Sequence, residues 1–167
     1  MRTFLLCLVG LFALSGCANY HLGSGGKLAF QTIYVAPVVN ESNLPQSVAV
    51  VSTVLREAFL KDGRVTLVNT PDQADAVLTV KLVKYGRSVT ASQSNDTGQA
   101  RKFDVTLDAE ASLRDNRQNK FLFEKRKVEA VREVFTDSGQ LQSEYNNVPV
   151  LAETLAKNIL SATLDVW

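Results

Sequence analysis

Between Phe103 and Arg114 the chain alternates without a fault. Phe103, Val105, Leu107, Ala109, Ala111 and Leu113 are apolar, and Asp104, Thr106, Asp108, Glu110, Ser112 and Arg114 between them are polar. A period of two puts successive side chains on opposite faces of a strand, so this segment has one dry face and one wet face. A helix, at ~3.6 residues per turn, would wind the carboxylates into its apolar side. The sheet built on this strand is therefore covered on one side and solvated on the other, the habit of antiparallel sheets. A slip of one residue would turn every side chain to the wrong face, so the register is strongly specified.

The neighbouring segments supply partner strands. AVLTVKLVKYGRSVTAS, from Ala76, sets Leu78, Val80 and Leu82 against Thr79 and Lys81 and reads as a second long strand. Between the two, residues 93–99 (QSNDTGQ) contain no apolar side chain and predict a hairpin tip. After the turn RDNRQNK, the segment FLFEKRKVEAVREVF forms a further strand with a broken phase. Phe121 and Phe123 share parity with Lys125 and Lys127, while Val128, Ala130 and Val134 take the other. A bulge around Glu124 to Lys127 would reconcile the two halves. Nearer the N-terminus, Thr32 to Val38 (TIYVAPV) is β-branched and aromatic, with Pro37 marking the strand's exit or an edge position. RVTLV, Arg64 to Val68, is a short extended piece leading into the turn-rich NTPDQAD.

Two segments have helical spacing. In NESNLPQSVAVVSTVLREAFLKDG, Ser42 or Asn43 is placed as N-cap, Pro45 in the first turn and Gly63 as terminator, with Val48, Val51, Leu55 and Phe59 on one face. After the polar loop TDSGQLQSEYNN, the segment VPVLAETLAKNILSATL has Asn147 as cap, Pro149 in the first turn, and a stripe of Leu151, Leu155, Ile159 and Ala162. This helix should run almost to Trp167. The expected fold is α+β, an about four-stranded, mostly antiparallel sheet with two amphipathic helices packed on one face.

The N-terminus reads as an export signal. TFLLCLVGLFAL, Thr3 to Leu14, is flanked by Arg2 and is too short for a membrane span, which needs about twenty apolar residues. LSGC, Leu14 to Cys17, matches the bacterial lipobox, whose cysteine is acylated at sulfur before cleavage. The expected organisation is a cleaved signal peptide at 1–16, a lipid anchor and Gly-rich tether at 17–29, and a single domain at 30–167. Ala18 resembles the outer-membrane sorting class. Cleavage would remove Cys7 and acylation would occupy Cys17, so no disulfide is available and a packed core must supply the stability. Without Arg2 the chain carries seventeen basic and seventeen acidic residues, which gives no global field for nucleic acid or an anionic surface.

Catalytic sets are missing. His21, the single histidine, sits in the tether where nothing orients it as a base, and no nucleophile elbow or His/Cys metal spacing is present. In GSGGKL no Gly stands at the first Walker position and Leu28 follows the Lys. Asp104, Asp108 and Glu110 share a strand face and could in principle hold a cation, but the solvated face of a half-buried sheet explains them with nothing further assumed. No enzyme activity and no cofactor is expected. Arg101, Lys102, Lys125, Arg126 and Lys127, with Arg87, form the best local candidate for anion contact. The plain alternative is surface charge paired across strands with Asp104 and Glu129.

The lipobox Cys17 followed by Tyr20-His21-Leu22-Gly23 resembles the start of the LptE family of outer-membrane lipopolysaccharide-assembly lipoproteins. Further matches come in order: TIYVAPVVNES, LKDGRVTLV, QADAVLTVKLVKYGR, RKFDVTLDAEASLRD and the closing helix with its terminal Trp. The resemblance implies a non-catalytic lipoprotein on the periplasmic side of the outer membrane that plugs the lumen of the β-barrel LptD, assists its assembly and contacts lipopolysaccharide. Cys17 would be its acylated residue and Tyr20, His21 and Leu22 its motif near the anchor. Some family members have a basic residue in the loop before the last helix, and TDSGQLQSEYNN has none, so the resemblance speaks more for the barrel than for direct lipid A contact. IYVAPVVNES and the Ala-Asp before a strand are also seen in periplasmic lipoproteins of the CsgG and LpoB kind, secretion components and activators of cell-wall synthases, which form the alternative reading.

Overall fold

The computed structural model describes residues 28–44, 47–92, 100–135 and 140–165. Cys7, Cys17, Tyr20, His21, Leu22, Pro45, the expected hairpin tip at 93–99 and Trp167 lie outside the described residues. In chain order the elements are β1 (Thr32–Val35), β2 (Val39–Asn40), α1 (Ser47–Asp62), β3 (Thr66–Leu67), a 3₁₀ turn (Pro71–Gln73), β4 (Ala76–Ser92), β5 (Ala100–Asp115), β6 (Lys120–Phe135) and α2 (Gln140–Leu164).

The sheet is larger and less uniform than the alternation predicts: it has six strands in the order β3-β1-β4-β5-β6, with β2 also on β4. β4, β5 and β6 form the expected antiparallel meander, whereas β1 pairs in parallel with both β3 and β4, and β2 pairs in parallel with β4. The parallel part was hidden because its strands are only two to four residues long, too short to show a period. Pro37 divides what would be one strand: Ala36 N–H donates to Leu78 O at 2.9 Å, the ladder breaks, and pairing resumes in β2 with Val39 opposite Lys81, followed by Glu41 N–H on Leu82 O at 2.8 Å. Pro37, with its ring-locked φ, sits in the break between β1 and β2.

α1 buries Ser47, Val51, Leu55 and Phe59, so Ser47 replaces the expected Val48, which is 37% exposed. Ser47 is tolerated in the core because its hydroxyl donates to Leu44 O at 2.9 Å. Ser42 does not cap α1. Its hydroxyl donates to Asn40 Oδ1 and accepts from Leu44 N–H, shaping the turn that precedes the helix. Gly63 ends α1 as expected, at φ 72, a left-handed conformation that glycine adopts without steric cost.

α2 begins at Gln140, well before the expected cap at Asn147, and Pro149 lies inside it. A proline in a helix forfeits one backbone bond and costs about 3 kcal/mol. Contacts to the sheet offset this. Val148 packs on the core, and Arg132 Nε donates to Asn147 Oδ1 at 2.8 Å. The C-terminal half behaves as the spacing indicates: Leu151, Leu155 and Ile159 are fully buried, with Ala162 partly buried beside them.

The two helices pack against each other over the face of Phe103, Val105, Leu107, Ala109, Ala111 and Leu113, and all six of these side chains are at most 2% exposed. The phase break in β6 resolves into two register shifts, one where Glu124 and Lys125 face Ser112 and one at Leu122. Lys125 takes φ 49 at the first bulge, and its N–H donates to Ser112 Oγ at 2.9 Å. The second shift explains why Phe123 is buried while Phe121 is 47% exposed, although the two share parity.

Candidate functional site

No helix covers the second face of β4, β5 and β6, and the charged residues of the alternating strand stand there. Strand register places them in rows: Lys81, Glu110 and Lys127; then Lys84, Asp108 and Glu129; then Gly86, Thr106 and Val131; then Ser88, Asp104 and Glu133. Lys81 also meets Glu41 at 2.9 Å, and that hydrogen bond holds its ammonium pKa above the ordinary value. Lys102 reaches Glu133 at 2.5 Å. In the third row a Cβ on Gly86 would stand 2.8 Å from Thr106 Oγ1, so this position favours a residue without a side chain. Two rows set like charges opposite one another, Asp108 against Glu129 and Asp104 against Glu133, an arrangement that costs stability. Among the described residues no group of three His, Cys, Asp or Glu is placed to share a cation.

The structure does not bring the five anion-contact candidates together. Arg101 and Lys102 lie at the start of β5, whereas Lys127 is in register with Glu110, eight residues further along that strand. At ~3.3 Å per residue the two groups are roughly 25 Å apart. Arg126 is further removed in function. Its register partner is the buried Ala111, its guanidinium lies 4.1 Å from the centre of the Phe123 ring, and Nη1 donates to Ala162 O at 2.6 Å in the last turn of α2. A cation there satisfies a helix-end carbonyl and the helix dipole. Arg87 lies on the helix side of β4, its guanidinium 5.7 Å from the centre of the Phe103 ring. Lys125 and Lys127 are exposed and remain available to an outside anion.

Sequence reasoning missed Arg132. It shares the parity of Val128, Ala130 and Val134, so it faces the helices, and its bond to Asn147 ties β6 to α2. A charged residue in an apolar register was the available signal.

It also missed two networks at the opposite end of the molecule, where β1 begins. Asp75 Oδ2 accepts from Gln31 N–H at 2.9 Å and Thr32 N–H at 3.1 Å, and Oδ1 pairs with Arg117 at 2.5 Å. Those bonds, the Gln31 amide first, hold its carboxyl below the usual carboxylate range. Asn116 donates to Pro71 O and Ala74 O, so the β5–β6 turn is stitched to the 3₁₀ turn. An open polar hollow of about 490 Å³ lies over these residues. Arg64 bridges Asp62 at the end of α1 and Asp165 after α2, at 2.8 and 2.5 Å. The Arg64 hydrogen bond depresses the Asp62 pKa, and the Ser161 hydroxyl followed by Arg64 depresses that of Asp165.

With this arrangement established, the sequence matches the family model described as LptE, lipopolysaccharide-assembly, over residues 30–163. The chain belongs to the LptE family. No curated protein matches it. Among solved structures it is similar in fold to the hypothetical protein CT253 from Chlamydia trachomatis, at TM-score 0.57 and 11% identity, covering 80% of this chain and 95% of that one. A minor lipoprotein from Acinetobacter baumannii has TM-score 0.54 and 16% identity, with 83% and 96% covered. The rare lipoprotein B from Shewanella oneidensis has TM-score 0.51 and 13% identity, with 79% and 94% covered. At such identities the likeness is one of fold. No helix among the described residues is long and apolar enough to cross a membrane.

Proposed function

We propose that this LptE-family protein is a lipoprotein of the outer membrane, acylated at Cys17, that occupies the lumen of an LptD-type β-barrel, assists assembly of that barrel and meets lipopolysaccharide in transit. It acts by binding and catalyses no reaction. The observation that carries the reading is the family match, which spans nearly all of the folded body. The wet sheet face supports it physically, because rows of mixed charge with little net sign suit a polar, water-lined wall, where a strong field of one sign would gain nothing.

Affinity purification of the tagged protein from solubilised outer membrane should return one large β-barrel in equimolar amount. Recovery of a peptidoglycan synthase or a secretion channel, with no barrel, would overturn this reading in favour of the LpoB or CsgG kind. Intact mass should show acyl chains on Cys17 of the mature protein, and Cys17→Ala should leave the precursor uncleaved.

Lipopolysaccharide contact belongs to the exposed Lys125 and Lys127, with Arg101 and Lys102 at the start of β5 as a second, separate place, because lipid A phosphates suit Lys point charges and Arg forks. Neutralising Lys125 and Lys127 together should weaken lipopolysaccharide binding and its salt dependence while leaving barrel association in place. Unchanged binding would reduce this pair to solvated surface.

A further inference from the structure

β6 is an edge strand, and its two halves are finished differently. The outward side follows from the ladder. Leu78 and Leu82 carbonyls accept from Ala36 and Glu41, on the side of β4 away from β5. Thr79 and Lys81 therefore turn their backbone groups toward β5, meeting Ser112 and Glu110. The alternate β5 residues then bond to β6, so Val128, Ala130, Arg132 and Val134 face inward and Glu129, Val131, Glu133 and Phe135 face out. Asn158 of α2 shows the same polarity, since its Nδ2 donates to the outward Glu129 carbonyl at 2.8 Å.

From Lys120 to Glu129 the edge is closed to another strand. Two register shifts break its line, and the Asn158 amide occupies the Glu129 carbonyl. Beyond Glu129 the pairing with β5 is regular to Phe135, and none of the described residues takes the outward groups of Val131, Glu133 or Phe135. The side chains beside those groups are unusual for an edge: Val131 is 50% exposed and Phe135 is 54% exposed. Next to them run the two like-charge rows, Asp108 with Glu129 and Asp104 with Glu133, where Lys102 is the cation paired with Glu133.

We infer that the β6 edge from Val131 to Phe135 is an addition site for a short extended segment of a partner polypeptide bearing a basic side chain between two apolar ones. Strand addition supplies the backbone bonds, and alternate side chains supply the selectivity. Opposite Val131 and Phe135 the incoming strand places its apolar residues, and opposite Glu133 its Lys or Arg, which answers the excess of carboxylates. The pattern reads the same in both chain directions, so parallel and antiparallel addition make the same demand.

A second copy of this chain is a poor occupant. A two-fold axis at Glu133 sets that residue against itself, and one at Val131 sets Glu129 against Glu133, with Asn158 already on the Glu129 carbonyl. An axis at Arg132 opposes Val131 to Glu133. The inference goes beyond the barrel reading and can fail separately from it, since the test below contains no barrel.

The test titrates the ¹⁵N-labelled full-length chain in detergent with a blocked peptide, Ser-Val-Thr-Lys-Thr-Val-Ser, and follows amide shifts and hydrogen exchange. Expected are saturable shifts centred on Val131, Glu133 and Phe135 with slowed exchange at those amides. A peptide with Glu in place of Lys should bind about five-fold more weakly, and Glu133→Lys should reverse that preference. Glu133→Pro removes an outward donor without touching a bond to β5, and it should abolish the shifts while leaving the thermal midpoint near wild type. Shifts spread over the sheet face, equal binding of the two peptides, no shift at millimolar peptide, or self-association through β6 without peptide would each overturn the proposal.

Discussion

Leu107 and Asp108 are consecutive residues of β5, yet they belong to two different chemical regions. Leu107 is 1% exposed beneath the helices, and Asp108 lies half-buried on the uncovered face between Lys84 and Glu129. On the helix side every position of the strand is decided by packing volume. On the wet side the same backbone carries charges whose arrangement even opposes folding at two rows. That contrast is the reason the uncovered face and its β6 edge are proposed as the surfaces that meet partners.

The largest test of this contrast is a pair of adjacent substitutions. Leu107→Asp buries an unpaired carboxylate at a cost of several kcal/mol, comparable with a domain's whole stability of ~5–15 kcal/mol, and should leave no cooperative thermal transition. Asp108→Asn should shift the melt by less than about 0.5 kcal/mol, and upward if relief from Glu129 outweighs the loss of Lys84. If Asp108→Asn proves the worse change, the two faces have been assigned the wrong way round.

A smaller effect is expected from Asp75, which stitches the end of the sheet where β1 starts. Asp75→Ala should cost about 2 kcal/mol at neutral pH in urea denaturation, because two backbone N–H groups and Arg117 lose a charged acceptor. Its carboxyl is depressed in the folded state, as are those of Asp62 and Asp165, so the folded protein binds fewer protons than the unfolded chain below about pH 4. Stability from these groups is complete above that pH and is lost as pH falls through their folded values. The wild type should therefore destabilise more steeply in acid than Asp75→Ala, and parallel pH profiles would assign the acid sensitivity elsewhere.

Smaller again is the comparison between Arg126 and Lys127, neighbours of the same sign on opposite faces. Arg126→Ala should cost about 1–2 kcal/mol through the lost Ala162 bond and ring contact, and Arg126→Lys should recover only part of it. Lys127→Ala should stay within about 0.5 kcal/mol. Equal losses at the two positions would erase the distinction between a cation that holds a helix and one left free for a ligand.

Much of this was legible in particular residues. The alternation from Phe103 to Leu113 set the two faces correctly because a strand's period is local and needs no knowledge of what covers it. The phase break in β6 announced its bulge for the same reason. Gly63 marked the end of α1, since a left-handed residue at a helix end has few alternatives. The five cations were legible as charges but not as a cluster, because their separation depends on the register of β5 against β6.

What the sequence determined by itself is therefore the local periodicity: which strands are long, which side of each is dry, where the helical faces lie, and the family to which the ordered segments belong. Tertiary structure alone decided the rest. It recruited the two- to four-residue strands β1, β2 and β3 into parallel pairs, carried α2 through Pro149, turned Arg126 and Arg132 onto the helix, and left β6 at the edge of the described sheet, with no described strand beyond its last five residues. Each of these depends on contacts between residues far apart in the chain. Their free energies override short-range preference only once the core has closed around them.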